Sequence, residues 1–145
     1  MPAKHSLDFG PGFYLTTDDE QALRWAKIVS FRRQSGQPTI TVYETVVSKW
    51  EQLKILTFQT PDRSWLRYVV QCRKHIIFDQ SYDVIWGPVA NDRTMDVINQ
   101  YINGSFTEDI AIQLLLPMKL KDQVVMKTRK ALEALRFVEV REWTE

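Results

Sequence analysis

The chain has 145 residues with 44% hydrophobic and 26% charged content, enough for one domain that buries roughly two-thirds of its unfolded surface without disulfides or metals. Lys and Arg number 19 against 18 Asp and Glu, so no net field draws it to nucleic acid or to acidic membranes. The single cysteine excludes an internal disulfide, and neither a signal-peptide core nor a run of about 20 apolar residues is present, so a cytoplasmic, single-domain protein over residues 1–145 is expected.

The densest stretch comes first. Gly10 and Gly12 flank Pro11, which calls for a turn with positive φ or for a close backbone approach. Phe13-Tyr14-Leu15-Thr16 then has strand character. Thr17 followed by Glu20 forms a capping-box pattern, and Asp18, Asp19 and Glu20 suit the positive end of a helix. Ala22, Trp25, Ala26 and Val29 recur at i, i+3, i+4 and i+7, so that helix has one apolar face. It stops in the polar segment 32–38, where the arginines suit a helix C-terminus.

Residues 39–45 are β-branched and alternating, and predict a strand. The segment 46–52 is ambiguous. A second short strand is expected over 53–58, paired with the first. Thr60-Pro61-Asp62 opens a helix whose buried face carries Trp65, Leu66, Val69, Val70 and Cys72, the last a buried structural thiol. Arg63, Arg67, Arg73 and Lys74 read as its solvent face rather than as a phosphate site. His75 falls at the helix end, a poor metal ligand without spaced partners. A strand over 82–86 leads into Gly87-Pro88-Val89-Ala90-Asn91-Asp92, where Asn91 or Asp92 caps the next helix. That helix stops at Asn103-Gly104. Thr107 caps another that ends before Pro117, and the two form a hairpin. Strand character returns over 120–127, Thr128 caps a short helix, and a last strand covers 137–141. No repeat or low-complexity tract appears.

Phe9-Gly10-Pro11-Gly12-Phe13-Tyr14-Leu15-Thr16 resembles the second motif of the ADP-ribosyltransferase superfamily, in its diphtheria-toxin-like, poly(ADP-ribose)-polymerase branch. Nearly the whole chain looks like an uncharacterised bacterial family usually placed there, through residues 7–26, Trp65-Leu66, Gly87 to Asp92, Asp122-Gln123 and Thr128. The resemblance implies an NAD pocket involving Gly10, Gly12, Phe13, Tyr14 and Thr16, with Tyr14 stacked on the nicotinamide and Asn91 and Asp92 in the pocket wall. It further implies a catalytic pair, Tyr14 and Gln123, the latter holding ribose hydroxyls or the acceptor. Read from the residues alone, Tyr14 is a half-buried strand aromatic and Gln123 a strand-edge amide.

Two departures weigh against full activity. Glutamine cannot serve as anion or general base where the superfamily usually has glutamate, and Glu44, Asp83 and Glu139 are the strand carboxylates that would have to substitute. The early strand whose His or Arg grips NAD is also missing, since His5 lies too close to the turn; the N-terminus looks truncated, or the strand has been lost. The expected fold is α+β and ADP-ribosyltransferase-like: two small, mostly antiparallel sheets with helices outside and a ligand cleft between them, Tyr14 on its floor. The expected function is NAD-dependent ADP-ribosyl transfer to an unknown protein or nucleic-acid acceptor, as in a bacterial toxin or effector. The alternative is a catalytically degenerate nucleotide- or protein-binding module, or an interaction protein whose glycine loops are only tight connections.

Overall fold

A computed structural model describes residues 8–34, 36–74 and 81–143. His5 and His75 lie outside the described residues. The chain is α+β, and among the described residues its elements run β1 (Phe13–Leu15), α1 (Asp19–Arg33), β2 (Thr39–Thr45), α2 (Val47–Trp50), β3 (Ile55–Thr57), α3 (Arg63–Arg73), β4 (Val84–Pro88), α4 (Asp92–Ile102), α5 (Glu108–Leu115), β5 (Asp122–Met126), α6 (Arg129–Glu133) and β6 (Leu135–Glu142). Among the described residues no helix is long and apolar enough to cross a membrane.

The strands form two sheets, one of four strands in the order β1-β5-β4-β3 and one of two, β2-β6. β1 and β4 flank β5 antiparallel, with Tyr14 and Ile85 both opposite Val125. β3 runs parallel to β4 rather than pairing with β2, which corrects the hairpin expected from their proximity in sequence. The reason is the intervening α3: a strand, a crossover helix and a return strand make a parallel pair. β2 instead takes β6, at the far end of the chain, as its partner, with a register shift between Val42 and Tyr43.

Alternation of side chains gives the larger sheet two different faces. Tyr14, Ile85 and Val125 join Phe9 and the apolar sides of α3, α4 and α5 in the main core, which includes the fully buried Trp65, Leu66, Val69, Ile98 and Leu115. Leu15, Val84, Trp86, Val124 and Met126 face the other way, onto Ala131 of α6 and onto Trp50 and Leu53. Trp65 fixes the first face in register, because its indole N–H donates to the Pro88 carbonyl oxygen at 3.0 Å while the ring is fully buried.

Most helix starts follow local chemistry. Asn91, Thr107 and Thr128 each accept a hydrogen bond from the backbone N–H three residues on, at 2.9, 3.3 and 3.1 Å. One expected cap moves by a residue: Asp18 rather than Thr17 caps α1, accepting from Gln21 N–H at 2.8 Å, and within Thr60-Pro61-Asp62 it is Asp62 that caps α3, accepting from Trp65 N–H at 3.0 Å. Arg73 is a further correction. Its side chain turns inward to form an ion pair with the buried Asp8, whereas Arg63 and Arg67 do face out, bridging to Glu108 on α5.

Candidate functional site

A cleft of 1230 Å³ separates the two sheets. One wall is the larger sheet, through Phe13, Leu15, Trp86, Val124 and Met126, and another is β2 along its length. The face of α1 formed by Ala22, Trp25, Ala26 and Val29 lines it as well. The apolar stripe legible in the sequence therefore does not close a core: Gln21 is the buried residue of this helix, and Val29 is 46% exposed.

Aromatic rings span the gap. Phe13 of β1 meets Tyr43 of β2 edge to face at 5.9 Å between centroids, and Tyr43 meets Phe137 of β6 at 6.4 Å. Trp86 stands against Trp50 in the same manner at 6.3 Å. Phe13, which lines the cleft, remains 42% exposed and offers a free edge and face to a planar ligand.

The junction between β1 and α1 is held by a carboxylate. Oδ1 of Asp122 accepts from the Thr16 hydroxyl at 2.9 Å and the Thr17 N–H at 3.0 Å, and Oδ2 accepts from the Thr17 hydroxyl at 2.6 Å and the Trp86 indole at 2.9 Å. Partial burial alone would raise the Asp122 pKa, but these donors outweigh it and hold the carboxyl below the usual aspartate value. This contact explains the moved cap: the Thr17 hydroxyl is committed to Asp122 and is not available to Glu20 N–H. Asp122 itself also walls a smaller hollow of 290 Å³ that shares Trp86 with the cleft.

The glycine turn is built as the sequence suggested. Gly10 adopts φ 77°. A side chain on Gly12 would collide with Val125 Cγ1 and come within 3.0 Å of the Met126 carbonyl oxygen, so glycine lets the chain pass over β5. Tyr14 locks this turn: its hydroxyl donates to the Gly10 carbonyl oxygen at 2.6 Å and accepts from Phe9 N–H at 3.1 Å. Burial pushes its phenol well above the ordinary tyrosine value, against a smaller lowering from the Phe9 N–H, so it stays protonated. Lys127 adds a bond from Nζ to the Phe9 carbonyl oxygen at 2.7 Å.

The residues singled out from sequence thus separate. Phe13, Tyr14 and Thr16 border the cleft, although the Tyr14 ring packs into the main core. Gln123 is 3% exposed and on the opposite face of β5 from Val124 and Met126; its amide lies 3.4 Å from Oδ2 of Asp8. Asp8 in turn accepts from Ala90 N–H at 3.0 Å and pairs with Arg73, a buried polar knot that pins the glycine turn to β5 and to the segment before α4. Asn91 is engaged as a cap, also accepting from the Thr94 hydroxyl at 2.7 Å, and neither it nor Asp92 borders the cleft. Gly10 and Gly12 shape the turn beside it without lining it. The cleft residues that sequence reasoning left without a role are Trp25, Trp86 and Arg33, together with Asp122 behind them. The 3.6-residue period carried the signal for Trp25, the resemblance named Asp122 beside Gln123, and Arg33 was read only as a helix C-terminal cation; nothing local marked Trp86 as part of a cleft.

Among the described residues no group of His, Cys, Asp and Glu can hold a metal ion. No curated protein and no solved structure matches the chain. A model of the DUF3990 family, described as a protein of unknown function, matches residues 2–137. With that match running over nearly its whole length, the chain belongs to the DUF3990 family.

Proposed function

We propose that the chain binds NAD in the cleft between its two sheets, as an ADP-ribosyltransferase-like protein. The observation that carries this reading is an aromatic-lined cleft of 1230 Å³ built directly on the glycine turn, strand and helix that resemble the superfamily's second motif. Pockets for drug-sized ligands hold about 300–1,000 Å³, so this one has room for two nucleosides joined by a pyrophosphate. Trp25, Phe13 and Tyr43 supply ring surfaces for the planar bases, and the hydroxyl oxygens of Thr16, Ser30 and Thr39, whose protons go to backbone carbonyls, are left to accept from ribose.

In ADP-ribosyl transfer the bond between C1′ of the ribose and the nicotinamide nitrogen breaks, and its electron pair leaves with neutral nicotinamide. An acceptor nucleophile bonds to C1′ and gives its proton to solvent. The transition state is cationic at the ribose, and a fixed anion nearby lowers the barrier. Asp122, kept ionised behind Thr16 and Thr17, stands outside the cleft lining, and its charge acts on the ribose from behind those two residues. Tyr14 and Gln123 act through the turn and through Asp8, as positioning residues.

Binding without turnover is the second reading. It is favoured by the burial of Gln123, whose amide is bonded to Asp8 on the far side of the sheet. Calorimetric titration with NAD and with ADP-ribose, followed by an assay for released nicotinamide, tests both. The expected result is micromolar binding of both ligands, lost in Trp25→Ala; released nicotinamide then selects transfer, and its absence selects the binding module. No heat from either ligand would sink the NAD reading.

A further inference from the structure

The cleft is electrically polarised along α1. Among the described residues that line it, Arg33 is the one cationic side chain; it stands in the last turn of the helix, with Ser30, Gly36, Gln37 and Thr39 in the same wall. None of the ion pairs among the described residues uses it. At the other end of the helix Asp19 lines the cleft with Thr16 and Thr17, and Asp18 and Glu20 flank it. Glu44, the other acidic residue of the wall, is already paired with Arg136. The helix has 15 residues, 19 to 33, and its two ends lie about 21 Å apart at 1.5 Å rise per residue.

We propose that Arg33 is the anion-recognising residue of the cleft, and that a dinucleotide lies along α1 with its pyrophosphate towards Arg33 and its pyridinium ring towards Thr16, Thr17 and Asp19. This deepens the NAD reading and rests on it. A phosphate placed at the other end would meet Asp19, whose full charge outweighs the half positive charge of the helix N-terminus; Asp18 beside it is already paired with Lys121 at 2.9 Å. At the C-terminal end the helix presents about half a negative charge, so only the guanidinium makes that end hospitable to an anion. Arginine is also suited in shape, since its planar fork engages two phosphate oxygens together. The positively charged pyridinium is matched by Asp19, the first-turn carboxylate in the cleft wall.

Arg33 is exposed at the end of α1, so its substitution leaves the packed elements untouched. The test compares the wild-type chain with Arg33→Ala and Arg33→Lys for affinity towards ADP-ribose, NAD and free nicotinamide. Arg33→Ala is expected to weaken ADP-ribose and NAD alike by about 10–100-fold, the span of a charge-assisted pair, and to leave nicotinamide within about twofold. Arg33→Lys recovers part of the loss. A second variant reads the other end: Asp19→Asn weakens NAD but not NADH, whose ring is neutral. If Arg33→Ala binds NAD and ADP-ribose as the wild type does, Arg33 is not the anion site and the cleft reading stands without it. If Arg33→Ala weakens nicotinamide as strongly as NAD, or Asp19→Asn affects NAD and NADH equally, the orientation is wrong. If the wild-type chain binds neither ADP-ribose nor NAD, the cleft reading falls and the proposal with it.

Discussion

Replacing Asp122 by asparagine keeps the size and shape of the side chain and removes one acceptor oxygen. Four donors converge on the carboxylate, two on each oxygen. The hydroxyls of Thr16 and Thr17 can turn away or reverse. The Thr17 backbone N–H and the Trp86 indole N–H cannot, and they approach different oxygens. Whichever way the amide settles, one obligate donor faces an NH₂ group. Leaving a buried donor unsatisfied costs about 1–3 kcal/mol, and the amide will turn its NH₂ towards Thr17, which is exposed and can find water; a loss of about 1–2 kcal/mol at neutral pH is expected. The loss also has a pH signature. The Asp122 pKa is depressed below the ordinary 3.8, so its contribution is complete above that unfolded-state value and disappears as pH falls through the lower folded-state value. The stability gap between wild type and Asp122→Asn is therefore widest above about pH 5 and closes progressively below about pH 4. Urea unfolding followed by tryptophan fluorescence at pH 7, 5 and 3.5 reads both quantities. Equal midpoints at pH 7, or a gap that stays constant down to pH 3.5, would refute the assignment of Asp122 as the clamp of the β1–α1 junction.

Asp8→Ala leaves Arg73 without its carboxylate and Ala90 N–H without an acceptor, and is expected to cost about 2–3 kcal/mol in denaturant unfolding. Because Asp8 and Arg73 form one unit, adding Arg73→Met to that variant should cost much less than Arg73→Met does alone; strict additivity would show that the pair is not coupled. Glu108, held by Arg67, Arg63 and Tyr101, has its pKa lowered to about 2 from 4.5, so what it contributes is present above pH 4.5 and fades as pH falls towards 2. Thermal melts of Glu108→Gln between pH 2 and 5 should therefore show a flatter acid limb than wild type, and identical limbs would exclude the α3–α5 bridge as a source of acid lability. Gln123→Ala is expected to lower stability by about 1–2 kcal/mol while leaving NAD affinity within about twofold, since the amide touches Asp8 and not the cleft. A selective loss of affinity at unchanged stability would return Gln123 to the ligand.

What the sequence made legible is what adjacent residues decide. A threonine or asparagine before an apolar run caps its helix whatever lies elsewhere, and Asn91, Thr107 and Thr128 do so. The strand over 39–45 was equally clear, because β-branched alternation needs no knowledge of its partner. Errors arose where a distant group competes. Thr17 would cap α1 if its hydroxyl were free, yet Asp122, 105 residues further on, takes it. Arg73 belongs by periodicity to the wet side of α3, but Asp8 draws it inward from 65 residues away. The partner of β3 is set by a crossover helix that short-range pairing rules do not see.

The candidate site was blurred for a related reason. A strand exposes alternate residues to opposite faces, and a motif read along the chain names both sets without saying which face is covered. Here α3, α4 and α5 cover the face that carries Tyr14 and Val125, and Gln123 belongs to that same side. The residues one step away, Phe13 and Val124, face the cleft. The two side chains that the resemblance marks most strongly thus stiffen the turn from behind, and their neighbours present the surface that a ligand meets. The same logic applies to α1, where the 3.6-residue period put Ala22, Trp25, Ala26 and Val29 on one face, which lines the cleft, while Ile28 and Phe31 leave other sides of the helix apolar and exposed as well. With Val29 nearly half exposed and Arg33 at the end of the stripe, the helix has the composition of a binding wall, apolar along its length and charged with opposite sign at its two ends. An arginine in the last turn stabilises any helix through its dipole, so what sets Arg33 apart is its place in the cleft wall, outside the ion pairs of the described residues.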